Sequence, residues 1–348
     1  MGLEGAGFRV AACVEIDEDC RSTLALNRPS WRAERKHGDV TRLGAEGILS
    51  VARMAPGEAA LVTGGAPCQP FSLMGKQEGT ACDDGNLFLH FMRVVRELEP
   101  TGFVFENVQG MQSRHRPVVA AIVAAGERAG YRVSARVLNA ADYGVPQRRK
   151  RLIVLGLRRC RATPYPAFPW PTHAENPGEF VGRYAERGFE VPRPLPWVTV
   201  SECFGGIAPE EFGREDCKCM GVSPLMRERI SHIRPGTRDN FKVLPDDLKP
   251  ACWRTGKHQG NDTFGRLAMD APAVTIRTCG YHPMKGRYIH PVEGRGLNTV
   301  EMARLQGFPP AWRFHGGLIS VGRQIGNAVP PPLAQAIGRV MACQMAAR

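Results

Sequence analysis

The 348-residue chain is long enough for a full hydrophobic core plus a second, smaller domain. Its 46 Lys and Arg against 34 Asp and Glu give a net charge of +12. That balance, with a pI near 9.4, favours polyanionic partners through phosphate neutralisation and counterion release, with solubility alone as the competing reading. No window approaches the ~18 apolar residues of a membrane span and no signal-peptide pattern opens the chain, so no membrane is expected and the cytoplasm is. The 11 cysteines, odd in number and scattered, suit reduced thiols better than a disulfide framework.

In chain order, Val10, Ala12, Val14 and Ile16 alternate as a strand would, and an acidic stretch from Glu15 to Asp19 then leads into a helical segment. Short apolar runs at 59–62 and 103–105 predict two more strands. Between them Leu87, Phe91, Val94, Val95 and Leu98 share one helical face that Pro100 stops. A helix over 117–128 ends near Gly130, and 131–138 and 151–157 read as further strands. This is the rhythm of a doubly wound, mostly parallel α/β sheet. After Cys160 the character changes, with Pro164, Pro166, Pro169 and Pro171 crowding around Trp170. The domains are therefore expected at 1–165 (catalytic and cofactor-binding), 166–298 (loop-rich, target-recognition) and 299–348 (returning to the first). Helices are expected from Thr299 and again after Pro330-Pro331-Pro332.

Ligands of open α/β sheets bind outside the carboxyl ends of the strands. Four polar groups are expected at such ends: Glu15 follows Val10 to Val14, Asp39 lies in Gly38-Asp39-Val40, Cys68 follows Leu61-Val62, and Glu106 directly follows Phe103 to Phe105. For Glu15, a ribose-binding carboxylate competes with a plain helix-cap acid. Cys68 sits between Pro67 and Pro70 with two glycines before it, in a stiff, closely approachable loop. A nucleophilic thiolate wants positive charge nearby, which Arg148, Arg149 and Arg151 could supply.

Gly64-Gly65-Ala66-Pro67-Cys68-Gln69-Pro70-Phe71-Ser72, Phe105-Glu106-Asn107-Val108, Gln147-Arg148-Arg149-Lys150-Arg151 and Gln324-Ile325-Gly326-Asn327-Ala328-Val329-Pro330 occur in that order. With Gly38-Asp39-Val40, Asp142-Tyr143-Gly144-Val145-Pro146 and Arg304-Leu305-Gln306-Gly307-Phe308-Pro309, they resemble the ordered motif set of the DNA cytosine-5 methyltransferase family over nearly the whole chain. The resemblance implies an S-adenosyl-L-methionine-dependent enzyme acting on a cytosine flipped out of double-stranded DNA. In that reading Cys68 adds to ring carbon 6, and Glu106 holds ring nitrogen 3 and the exocyclic amine, the role of a protonated carboxyl with a raised pKa. Arg149 and Arg151 complete the catalytic set near the base, one of them on its carbonyl oxygen, with phosphate contact as the alternative. The resemblance places Glu15 at the cofactor's ribose, Asp39 and Val40 at its adenine, Pro67 and Leu87 in the lining, and Asn327 near the methionine end. Gln69, Ser72 and Arg148 are implied DNA contacts, and Arg304 and Gln306 are taken to fix helix packing.

His232, Arg234, Arg238 and Lys242 are candidate phosphate or base contacts, or simply a solvated basic surface. Cys203, Cys217, Cys219 and Cys252 lack the spacing of a zinc knuckle, so no metal is expected. Two departures from the family pattern stand out. The chain opens at Gly2-Leu3-Glu4-Gly5-Ala6-Gly7-Phe8, inside the helix that follows the family's first strand and glycine-rich loop, so both are missing here. The expectation is that Met1 is internal to a protein starting on the order of ten to twenty residues upstream. The second departure is in Cys82-Asp83-Asp84-Gly85-Asn86-Leu87, where Asp84 stands in the family's Arg position. The chain is read as a monomeric modification enzyme with a companion restriction endonuclease, or as a solitary methylase. A cofactor-deficient DNA-binding remnant and a transfer-RNA cytosine methyltransferase are the alternatives.

Overall fold

A computed structural model describes residues 1–31, 38–43, 45–65, 87–110, 116–160, 163–255 and 262–347. Cys68, Pro67, Gln69, Ser72 and Asp84 lie outside the described residues. By its internal contacts the chain forms two units. The first is Met1–Asn139, Lys150–Trp170 and Ala334–Arg348, and the second is Ala140–Arg149 and Pro171–Leu333.

The first unit opens with α1 (Glu18–Asn27), whose N-cap is Asp17, its side chain accepting from the Cys20 backbone N–H. It continues through α2 (Ala45–Ala52), β1 (Leu61–Gly64), α3 (Leu87–Leu98), β2 (Gly102–Val108), α4 (Arg116–Arg128), β3 (Tyr131–Asn139) and β4 (Lys150–Arg158). The described strands of this unit form one mixed sheet in the order β1-β2-β4-β3. The β1–β2 pair is parallel, and both ladders made by β4 are antiparallel. The expected α/β class is present, its parallel character confined here to β1–β2. β2 and β4 read as continuous apolar runs because both faces are covered. Phe91 packs edge-on to Phe103 and tilted on Phe105, and Phe103 packs edge-on to Tyr131, which fixes α3 over the sheet.

Residues 10–16 carry no strand. Alternation alone does not make a strand, because the ladder needs a neighbour to receive its hydrogen bonds, and none of the described strands pairs with this segment. The proline-rich run after Cys160 does not end the first unit at once. Arg132 and Arg136 of β3 lie over the rings of Tyr165 and Phe168, and Gln344 hydrogen-bonds both the N–H and the carbonyl of Ala167. These contacts hold the segment to its unit as far as Trp170.

The second unit contains β5 (His173–Ala174), α5 (Pro177–Ala185), β6 (Leu195–Pro196), α6 (Val200–Gly205), α7 (Pro224–Ser231), α8 (Ala251–Arg254), α9 (Thr299–Leu305) and α10 (Leu318–Asn327). α11 (Pro331–Ala346) begins in it and continues into the first unit from Ala334. Its core gathers Ile230, Ile233, Phe241, Leu244, Leu248, Phe264 and Ile289, with Phe241 and Phe264 stacked at 4.1 Å. α9 and α10 group with this unit by their contacts. Thr299 donates to the Asp216 carbonyl, and the Phe314 N–H donates to the Asp216 carboxylate.

Candidate active site

In the first unit, Glu106 lies near the carboxyl end of β2. Arg151, the second residue of β4, stands opposite Val108 in the antiparallel ladder. Residues 106 and 108 share a face, so Glu106 and Arg151 are diagonal neighbours. Arg151 Nε lies 2.8 Å from Glu106 Oε1, with side chains only 11% and 14% exposed. Burial lowers the Arg151 pKa, and the charge and hydrogen bond of Glu106 act against that shift. β1 ends beside them: a Cβ added at Gly65 would stand 3.0 Å from Glu106 Oε2. A side chain here would make the carboxylate give way by a few tenths of an ångström, and Cys68 follows three residues later in the sequence.

The residues expected at the cofactor's nucleoside part lie in and near the segment before α1. Glu15 Oε1 accepts from the Asp17 N–H at 2.8 Å, and Asp17 rather than Glu15 caps the helix. Gly38 runs against Glu15, its would-be Cβ only 2.7 Å from the Glu15 carbonyl oxygen. Asp39 accepts from both the hydroxyl and the N–H of Thr41, which hold its carboxyl below the usual aspartate range. Val40 joins the apolar cluster of Leu43, Ile48, Val94 and Leu98, and its carbonyl accepts from Arg93 of α3 at 2.6 Å. Leu87, half-buried, starts that helix. Ile16, directly after Glu15, is 68% exposed. The sequence reading missed this side chain, because strand alternation assigned it no task, whereas its exposure offers an apolar face beside the acid.

In the second unit, Arg148 is exposed and its guanidinium lies 5.6 Å from the Trp197 ring centroid. The Trp197 indole N–H is itself bonded to Asp142. Arg149, read from the sequence together with Arg151 as near the base, lies among backbone carbonyls. It is 1% exposed, and its guanidinium donates to the carbonyls of Ile276, Gly326 and Ala328 at 2.9, 2.6 and 3.1 Å. Those two last carbonyls flank Asn327, the exposed final residue of α10. Gln147, fully buried, donates to Leu305 O and Gln306 Oε1 and accepts from the Ile276 N–H. Gln306 also donates to the Ala328 carbonyl at 2.6 Å, and Arg304 bonds the Gly206 carbonyl.

Arg234 is ion-paired with Asp239 at 2.9 Å, while Arg238 and Lys242 are exposed and His232 ends α7. The described cysteines carry free thiols. His290, Glu293 and Glu301 gather closely enough to suggest a metal site. Arg295, however, donates to both carboxylates, Glu301 completes a capping box with Asn298, and His290 Nδ1 accepts from the backbone N–H groups of Val292 and Glu293. The cluster is a helix-start brace.

Solved structures first place the fold. A DNA modification methyltransferase encoded within an E. coli prophage superposes with a TM-score of 0.68 at 22% identity, covering 99% of this chain and 95% of that one. The S. pombe Dnmt2 methyltransferase does so with 0.55 at 16%, covering 99% and 94%. The fold is therefore that of a methyltransferase. The chain belongs to the C-5 cytosine-specific DNA methylase family, whose description matches residues 1–343, and it is a DNA cytosine-5 methyltransferase. Among curated relatives, the Type II methyltransferase M.XorII of Xanthomonas oryzae is 34% identical over 361 residues, covering 97% of this chain and 80% of the relative. M.AquIA of a Picosynechococcus is 43% identical over 242 residues, covering 67% and 92%.

Proposed function

We propose that the chain methylates carbon 5 of a cytosine flipped out of a specific double-stranded DNA sequence, using Cys68 as a covalent nucleophile and S-adenosyl-L-methionine as methyl donor. The observation that carries this reading is the Glu106–Arg151 pair near the carboxyl end of β2, with Gly65, three residues before Cys68 in the sequence, against its carboxylate. The Cys68 thiolate would form a bond to ring carbon 6, moving the ring electrons to carbon 5. Glu106 would bind the protonated ring nitrogen 3 and the exocyclic amine, and Arg151 would orient Glu106 while offering a donor to the base's carbonyl oxygen. The methyl group would leave the donor's sulfur as a neutral thioether, and loss of the carbon 5 proton to a water would then return the electrons to the ring and expel the Cys68 thiolate.

The residues around Glu15 suit the nucleoside part of the donor. A half-buried carboxylate fits a ribose diol, the glycine at 38 lets the backbone carrying Asp39 pack directly against Glu15, and Val40 with exposed Ile16 suits a purine. Asn327 is assigned to the methionine end. Bound S-adenosyl-L-methionine supplies a methyl group on a sulfonium, which is electrophilic enough for carbon 5 to take. Gln69, Ser72 and Arg148 are assigned to DNA contacts. The kinship with Type II methyltransferases supports a restriction-modification setting with a companion endonuclease. Transfer of labelled methyl to duplex DNA, abolished by Cys68→Ser, tests the reading. Methylation of transfer RNA in preference to DNA, or activity surviving Cys68→Ser, would overturn it.

A further inference from the structure

We propose that Arg149 is a positioning residue for Asn327, holding the backbone on both sides of it rather than meeting the base or a phosphate. The inference rests on the reading above that puts Asn327 at the methionine end of the methyl donor. Arg149 leaves the β3–β4 connection as the last residue before β4, yet its side chain belongs to the second unit. There its fork spans the carbonyls of Gly326 and Ala328, one residue to either side of Asn327, and reaches Ile276 as a third acceptor. The last carbonyls of a helix lack intrahelical partners and carry the negative end of its dipole, so a buried guanidinium is well matched to them. Lysine could not span these divergent acceptors, since an ammonium is a point donor and guanidinium a planar fork.

Two further contacts fix the same place. Gln306 donates to the Ala328 carbonyl from another direction. Gly326 is pressed onto the neighbouring segment, where an added Cβ would lie 2.3 Å from the Thr278 nitrogen and 2.5 Å from the Arg277 carbonyl carbon. Asn327 is thus the exposed residue of a backbone corner held at both flanking carbonyls. A side chain presented from such a corner meets its ligand without first having to order the chain that carries it.

The test measures S-adenosyl-L-methionine binding by calorimetry and steady-state kinetics for the full chain carrying Arg149→Lys, Asn327→Ala and both. Arg149→Lys is expected to weaken donor binding about tenfold, equivalent to ~1.4 kcal/mol. Its KM for the donor should rise while kcat at saturation and the KM for DNA stay close to wild type, and amide exchange at 326–329 should quicken. Once Asn327→Ala has removed the group being positioned, adding Arg149→Lys should weaken binding no further. Gln306→Glu, which replaces the donor on the Ala328 carbonyl and keeps the acceptor for Gln147, should raise the donor KM in the same direction and serves if Arg149→Lys does not fold. A fall in kcat with donor binding unchanged would return Arg149 to the base and overturn the proposal. So would fully additive losses in the double variant. If Asn327→Ala leaves donor binding intact, the assignment of Asn327 fails, and the positioning role falls with it. That outcome is distinct from additivity, in which Asn327 binds but Arg149 does not act through it.

Discussion

Arg151 and Glu106 meet diagonally across the β2–β4 ladder at 2.8 Å, each almost withdrawn from water. Removing one member of such a pair strands the other's charge, which costs about 3–5 kcal/mol when burial is complete and less where some exposure remains. Arg151→Met and Glu106→Gln are each expected to lower urea stability by roughly 2–3 kcal/mol and methyl transfer by at least about a hundredfold. The double variant should be less destabilised than the sum by ~1 kcal/mol or more, without recovering activity. Strict additivity in the unfolding cycle would show that the two side chains do not interact.

Gly65→Ala places a methyl group 3.0 Å from Glu106 Oε2. The carboxylate has to yield by a few tenths of an ångström, which displaces the group proposed for catalysis without opening the core. We expect kcat to fall on the order of tenfold while the melting temperature moves by less than about 4 °C. Unchanged turnover would mean that Glu106 tolerates the shift and that its position is not critical.

Acid stability should report the surface pair of the second unit. The Arg234 guanidinium holds the Asp239 carboxyl at about 2, below its ordinary 3.8. A depressed carboxylate stabilises the fold fully above its unfolded value, and that contribution is lost as pH falls through the folded one. Wild type and Asp239→Asn should therefore differ by a constant amount above pH ~5, converging between about 4 and 2. The difference is expected to be small, because Arg234 is 73% exposed and solvent screens it. A gap that persists unchanged down to pH 2 contradicts the assignment.

The cysteines should separate by reactivity. Burial pushes the thiol of Cys203 up to about 12 and that of Cys13 up to about 11, whereas Cys252 and Cys343 are exposed. Because the thiolate is the attacking species, brief iodoacetamide treatment at pH 8 should label Cys252 and Cys343 well before Cys13 and Cys203. Peptide mass spectrometry reads the order directly, and early labelling of Cys203 would contradict its burial.

Much of the scaffold was legible in the sequence because the signals are local. The apolar runs of β2 and β4 and the one-sided periodicity of α3 need no tertiary knowledge to be seen. Residues 10–16 show the limit of such reasoning: their alternation is real, but a strand is a property of two neighbours. The proline-rich run looked like a boundary, since prolines punctuate chains, and its contacts with the arginines of β3 and with Gln344 reveal that it stays bound to the first unit. At the site, the acid and the arginine cluster were recognisable by type. Arg149 and Arg151 have the same chemistry and nearly the same sequence context, so which of them faces the acid and which the carbonyls was invisible until their surroundings were known.

The short segment from Gln147 to Arg151 serves two structures in succession, with Arg149 tied to carbonyls of one unit and Arg151 to an acid of the other. Its length therefore acts as a ruler. A single residue inserted after Arg149 would turn Arg151 to the opposite face of the sheet, and a single deletion would do the same. The segment can tolerate changes of side chain, for instance at exposed Lys150, far better than any change in the number of peptide bonds. Among descendants of this chain, substitutions should accumulate there while insertions and deletions are purged.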